Sequence, residues 1–445
     1  MNLFGYYVRL ALMSFKRAPG LTALMVMAIA VGIAVCVVSL TVFHAMSGNP
    51  IWWKSDRLFA VTMDNWDPNQ PADQKRPTLP PDQMTYRDAT YLHASDIPKR
   101  SVIMFRAFGV ASGAGSRPTP MTARVTSADF FKMFDVPFEY GGEWKKPADE
   151  SFEPVIVLSH DTNVKLFGGA NSLGRTMLWN DREFRVIGVL KPWEPRPRFF
   201  DLNNDPFDPP EDVFVPWSTG SALKLNSAGS TNCWKSEKLD TFEDFLRSEC
   251  IWLQMWVELP DAASRQRMQS FIDGYWAREH GAGRFARPRD NRLTNVDQWL
   301  VDQAVVQDDN RLLVGLAFAF LAVCVINTVG LLLAKFLSAA SISGVRRALG
   351  ASRRQLFAQH LVEVSAVSVV GATLGLALGA LGLYAVRLMY ATSDPRGGGY
   401  QELAHFDVVS ILWAALLAVV AAVAAGLYPA WRIGRVDPAS YLKNQ

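Results

Sequence analysis

The sequence predicts an α-helical membrane protein with four transmembrane helices and a large extracytoplasmic α/β domain inserted between helices 1 and 2. Three observations carry this: four uncharged apolar runs, a lysine and arginine bias at alternate ends of them, and a water-soluble composition confined to the stretch between the first two. Whole-chain averages hide the division, because 49% apolar residues and a mean hydropathy of +0.07 coexist with 20% charged side chains over 445 residues. A net charge of +3 from 45 basic and 42 acidic side chains excludes a disordered acidic protein and gives no reason to expect a nucleic-acid partner.

The apolar runs are Leu21 to Phe43, Leu312 to Ala334, Val364 to Val386 and Val408 to Trp431. At 1.5 Å per residue, about 23 residues reach about 35 Å, enough for a hydrocarbon layer of roughly 30 Å. Buried core helices seldom sustain such runs. The first run is read as a retained anchor, because both it and its charged leader are too long for a cleaved signal peptide. The spans are therefore placed at 20–44, 311–335, 358–387 and 407–431, with membrane lipid as their partner.

Basic residues near the span ends set the orientation. Arg9, Lys16 and Arg17 precede the first span without an acid. Lys335, Arg346, Arg347, Arg353 and Arg354 separate the second and third, with no acid before Glu363, and Arg432, Arg435 and Lys443 follow the fourth. Both termini and the 336–357 loop are expected in the cytoplasm, leaving 45–310 and the short loop 388–406 outside. Residues 45–310 hold 31 basic and 37 acidic side chains, so the weakly basic total reflects the cytoplasmic segments alone. Segment 1–19 mixes Leu3, Phe4, Tyr7, Val8 and Leu12 with the three basic residues before Pro19 and Gly20, the pattern of an interfacial amphipathic helix. Residues 432–445 form a cytoplasmic tail.

In the outside segment, Leu58 to Met63 reads as a strand and Asp67 to Pro81, rich in proline, as a loop. Ser101 to Val110 and Met121 to Val125 collect β-formers, and Ala128 to Phe134 reads as a short helix capped by Ser127. Strand, helix, strand and hairpin are then expected at Pro154 to Leu158, Asp161 to Phe167, Thr176 to Trp179 and Phe184 to Leu190, with Asn180 and Asp181 as the hairpin turn. Lys191 to Ala228, dense in Pro, Asp, Asn and aromatics, reads as a long irregular excursion. Ile251 to Glu258 is expected as a strand and Ala262 to His280 as an amphipathic helix. The length suits one large domain or two subdomains. A helix continuous from Asp297 into the second span would couple the domain mechanically to the membrane.

Cys36 and Cys324 fall inside spans and read as small packing residues. Cys233 and Cys250 are the other two, and in an oxidising compartment such a pair is expected to be bridged. Candidate chemistry is sparse. The six histidines lack any zinc-binding spacing, and the glycine-rich runs at 109–116 and 397–399 lack the Lys-Ser/Thr of a phosphate-binding loop. No metal, no cofactor and no catalytic residue are expected in this chain. Acid pairs Asp201 with Asp205 and Asp208 with Asp212 are read as a solvated loop face.

The cytoplasmic loop is more informative. In SAASISGVRRALGASRRQLF, Val345, Ala348 and Leu349 share one side of a short helix, and Gly350 stands where a helix ends in a left-handed residue. Ser352 and Gln355 then have the spacing of a capping box that starts the next helix. This predicts a helical hairpin at the inner membrane surface with a basic rim and an apolar patch, suited to docking. Gly371, Gly375 and Gly379 repeat every fourth residue in the third span, a stripe where another helix can approach closely.

GVRRALGAS at 344–352 resembles the loop signature of MacB/FtsX-like permeases, the membrane subunits of mechanotransmitting ABC transporters. The closing GLYPAWRIGRVDPASYL, through Gly426, Pro429, Ala430 and Pro438, is similar to that family's ending. VTSADFFKMFDV, VIVLSH, LFGGANSLGRTM and FRVIGVL in the outside domain resemble it too, as does the order of one span, a large domain and three spans. The resemblance implies a bacterial inner-membrane protein with a periplasmic domain, dimeric with a second permease above a dimer of ABC ATPase subunits that bind ATP and Mg. Gly344, Val345, Arg346, Arg347, Ala348 and Leu349 would form the helix that couples to the ATPase. Movement would pass from ATPase to the outer domains, driving export or extraction of a substrate, with an adaptor and an outer-membrane channel as further partners. The family's glutamate and isoleucine before the glycine are replaced by Ile342 and Ser343, which favours pairing with a non-identical permease over a homodimer. Two alternatives remain: a transmembrane regulator that passes ATPase state to an external enzyme or sensor without moving cargo, and a membrane-anchored enzyme using the acidic loop.

Overall fold

The computed structural model describes residues 3–112, 118–306, 308–338, 350, 352–393 and the single residue 416. The helix expected at 344–349, the fourth expected span apart from residue 416, and the tail lie outside the described residues. The chain divides into two compact units: Met1–Ser47 with Val306–Gln445, and Gly48–Val305.

The first unit opens with α1 (Leu3–Arg17) and α2 (Pro19–Ser47). The second unit follows with β1 (Leu58–Thr62), α3 (Tyr86–His93), β2 (Arg100–Ser112), β3 (Thr119–Thr126), α4 (Asp129–Met133), β4 (Phe138–Gly141), α5 (Pro147–Glu150), β5 (Val155–Leu158), α6 (His160–Phe167), β6 (Thr176–Trp179) and β7 (Arg182–Leu190). It closes with β8 (Val213–Pro216), α7 (Trp217–Ala222), α8 (Phe242–Arg247), β9 (Gln254–Glu258), α9 (Ala262–Gly281), β10 (Arg292–Asn295) and α10 (Val296–Asp302). The first unit resumes with α11 (Asp308–Ser338) and α12 (Arg353–Ser393).

Among the described residues of the second unit ten strands form one sheet, ordered β10-β1-β9-β2-β3-β8-β5-β7-β4, with β6 bridging β2 and β7. One half of the sheet is built from both ends of the segment and the other from its middle. The parallel β3–β8 pair joins them, so the two expected subdomains share a continuous sheet. Apolar side chains pack on both faces, including Trp179, Phe184 and Trp252 in one core and Phe130, Phe200 and Trp256 in the other.

Local chemistry explains several elements. Ser159 Oγ accepts from the Thr162 N–H at the start of α6, and Gly168 closes that helix at φ +66°. Asn180 and Asp181 take φ +48° and +60°, the two left-handed residues of a tight hairpin turn between β6 and β7. Other expectations fail. The excursion 191–228 contains β8 and α7, because Val213 to Val215 are buried centrally between β3 and β5, a pairing set by tertiary contact rather than local pattern. Ser127 does not cap α4 through its side chain; its hydroxyl donates to the Ser101 carbonyl. No continuous helix leads from Asp297 into the second span either. α10 ends at Asp302, and Ala304 adopts φ +49°, a conformation an α-helix cannot continue through.

Among the described residues three helices are long and apolar enough to cross a membrane, within Pro19–Lys54, Asp309–Lys335 and Arg354–Met389. In the first unit α2 is the central member. Met25, Ile29, Ile33 and Val37 meet Ala317 and Leu321 of α11 and Val364 and Val367 of α12 in a single apolar core.

Candidate coupling site at the base of the helical bundle

The loop expected to dock a partner lies outside the described residues, but both of its roots are described. On one side α11 runs to Ser338. On the other, Gly350 has φ +103° and a reciprocal pair of hydrogen bonds starts α12: Gln355 Oε1 accepts from the Ser352 N–H at 2.9 Å, and Ser352 Oγ from the Gln355 N–H at 3.3 Å. A helix therefore begins at position 353 whatever the loop before it does.

A polar node joins the three helices near the loop. Lys335 Nζ lies 2.7 Å from Glu363 Oε1, and the two residues are 9% and 4% exposed. Ser14 Oγ of α1 donates to Glu363, and Lys335 Nζ sits 5.3 Å from the centre of the Phe15 ring. His360, one turn before Glu363, places Nδ1 3.9 Å from its second oxygen. Three helices thus meet on one buried carboxylate. Burying an ion pair is costly, and removing one partner from it costs about 3–5 kcal/mol, so Lys335 and Glu363 each depend on the other. The signal available in the sequence was an acid directly beside an uncharged run, a placement rare enough in spans to mark a partnered group.

Higher in the same unit the glycine stripe faces α2. A Cβ at Gly375 would stand 2.8 Å from the Ala30 carbonyl oxygen, and one at Gly371 or Gly379 would press on Ile29 or Val37 at 3.0 and 3.2 Å. The close approach of α12 to α2 requires these positions to lack side chains.

In the second unit Cys233 and Cys250 are joined by a disulfide, with Cα atoms 4.2 Å apart. Beside it, Glu249 and Asp88 flank the guanidinium of Arg284 at 2.7 and 2.5 Å. The acids of the 201–212 loop are not the solvated face expected from sequence. Asp201 and Glu211 both pair with the wholly buried Arg124, Arg198 adds a contact to Glu211 at 3.1 Å, and Asp208 meets Arg106 at 2.5 Å. Burial alone would push the Glu211 carboxyl up, but Arg124, Arg198 and Arg106 hold it down to about 2. These ion pairs anchor the excursion to the sheet. Asp212 likewise accepts from the Thr122 N–H at 2.8 Å. Among the described residues no three His, Cys, Asp or Glu side chains gather as a metal site requires.

Comparison with known proteins adds the following. Residues 22–274 match the MacB-like periplasmic core domain family, and residues 314–438 match the FtsX-like permease C-terminal family. The macrolide export ATP-binding/permease protein MacB of Wolinella succinogenes is 25% identical over 337 residues, covering 76% of this chain and 45% of that protein. The pyoverdine export ATP-binding/permease protein PvdT of Pseudomonas aeruginosa is 25% identical over 320 residues, covering 72% and 42%. The chain therefore spans less than half the length of these curated relatives. The periplasmic region of MacB from Actinobacillus actinomycetemcomitans aligns over 58% of this chain and 96% of its own, at 16% identity and a TM-score of 0.37.

Proposed function

The chain belongs to the MacB/FtsX-like family of ABC transporter permeases, and from that premise we propose that it converts the ATP cycle of a separate ATPase subunit into movement of its periplasmic domain. ATP and Mg are bound by that partner, and this chain is a non-catalytic membrane subunit with both termini in the cytoplasm. Gly344 to Leu349 form the docking helix, with Arg346 and Arg347 on its rim and Val345, Ala348 and Leu349 towards the ATPase.

The observation that carries this reading is the Lys335–Glu363 pair, which ties the last turn of α11 to α12 and brings α1 into the same node through Ser14. A load applied to the loop is then shared by three helices rather than dissipated in one. The glycine contacts of α12 with α2 carry it onward to the helix that enters the periplasmic domain at residue 48.

Export or extraction of a substrate from the periplasm or outer leaflet follows as the proposed outcome, supported by relatives named for macrolide and pyoverdine export. The absent acid at Ile342 supports a non-identical second permease in the complex. An adaptor and an outer-membrane channel would complete the path.

The test is direct. Reversing Arg346 and Arg347 to glutamate, or replacing Leu349 by aspartate, is expected to abolish co-purification of the ATPase while leaving the Cys233–Cys250 disulfide formed. Unchanged co-purification and ATP turnover would refute the coupling assignment. Recovery of a complex with one permease sequence and full ATPase activity would refute the heterodimer.

A further inference from the structure

Both chain crossings of the periplasmic unit emerge at one place. Residues 48–55 lead away from α2, and α10 leads towards α11; Asp297 at the start of α10 accepts hydrogen bonds from Asn49 Nδ2 and Ser55 Oγ, each at 2.7 Å. This end of the unit exposes large apolar side chains. Trp52 is 73% exposed, Trp53 55%, and Val301 on α10 61%.

The tryptophans are held in place. Trp53 Nε1 donates to Asp135 Oδ2 at 3.1 Å, while Lys54 Nζ donates to Asp135 Oδ1 at 2.9 Å and to the Lys132 carbonyl at 3.0 Å. Trp52 packs edge-on against Trp53, with ring centres 5.9 Å apart and planes at 88°. The pair is thus presented by a turn, Trp52–Lys54, whose neighbours are pinned to α4 and its following residues.

In the sequence this pair stands close to a span. Trp52 follows Phe43, the end of the first apolar run, by nine residues, and Val301 precedes Leu312, the start of the second, by eleven. Short chain tethers therefore join all three exposed side chains to apolar runs. Indole rings, with an apolar body and a polar N–H, favour the headgroup level of a bilayer. We propose that Trp52, Trp53 and Val301 seat this end of the periplasmic unit in the headgroup layer of the leaflet from which the chain emerges. The occupant of the exposed aromatic face is lipid, chosen over a second copy of the chain because both crossings are continuous with membrane spans. This inference stands apart from the coupling reading.

The test uses the full-length chain in nanodiscs of phosphatidylcholine brominated at a shallow or a deep acyl position. The emission lost between wild type and the W52F/W53F variant is the signal of the pair. That difference emission is expected to be quenched by bromine, and more strongly at the shallow position. W52F alone, which leaves the Asp135 contacts in place, is expected to show the same depth order. Difference emission untouched by bromine at both depths, or shielded only when two copies share a disc, would overturn the proposal.

Discussion

Lys335 and Glu363 hold opposite charges where water is scarce, and each is tolerable only because the other is there. Glu363→Gln or Lys335→Met alone leaves a buried charge unpaired and is expected to destabilise the bundle by about 3–5 kcal/mol, with the charge-exchanged double variant recovering part of the loss; thermal unfolding of the full chain in nanodiscs reads both. A second residue-scale prediction concerns pH. Burial pushes the His93 imidazole down to about 4, with Asp129 opposing and Lys146 adding to the shift. Its neutral form is therefore favoured by folding, so its contribution is fully present above about 6.5 and is lost as pH falls towards 4, a change of about 3 kcal/mol. Asp149 runs the other way. Burial raises its carboxyl to about 6 despite hydrogen bonds from the Ala128 N–H, the Trp144 indole and the Trp217 N–H, so its contribution is present below about 3.8 and lost as pH rises through 6. The two nearly cancel in the wild type. His93→Gln removes the counterweight to Asp149, so the stability of the variant relative to the wild type is expected to fall as pH rises from 4 to 6; unfolding of the full chain of both across that range measures it.

At the scale of elements, α12 and the disulfide-closed segment make separate claims. Gly375→Ala must move the Ala30 carbonyl or spread the helices, and is expected to cost about 1–3 kcal/mol, whereas Gly315→Ala, with open space around its Cβ, should not lower the melting temperature. Replacing Cys233 and Cys250 by serine together removes the cross-link of a loop with sequence separation 17 and is expected to cost the periplasmic unit about 3 kcal/mol. What was legible in the sequence follows from how local its cause is. The three described spans, β6 with its Asn180–Asp181 turn, α6 and the Ser352–Gln355 box all depend on residues within one or two turns of each other. β8 was not legible, because Val213 to Val215 become a strand only between β3 and β5, about 90 and 55 residues away in the chain. The buried fate of Asp201 and Glu211 was hidden for the same reason: the arginine that holds them sits on β3. Lys335 and Glu363 were visible as residues but not as a pair, since no periodicity connects the ends of two spans.

At the scale of the whole molecule the proposed function is a transmission. In it the 336–357 loop would receive force, the α1–α11–α12 node would share it among three helices, the α12–α2 contact would pass it on, and the strands of the periplasmic sheet would respond together. Weakening the node while leaving the loop intact should therefore separate docking from transmission: Glu363→Gln is expected to keep the ATPase bound but to lower substrate-dependent ATP turnover. The most direct measurement places a photo-crosslinking residue at Val345 in the complex assembled in native membranes, with Trp217 on the periplasmic unit as the comparison position. The account predicts that the ATPase subunit is captured from position 345 and not from 217. Capture of no ATPase from 345, in a complex that still hydrolyses ATP, would contradict it.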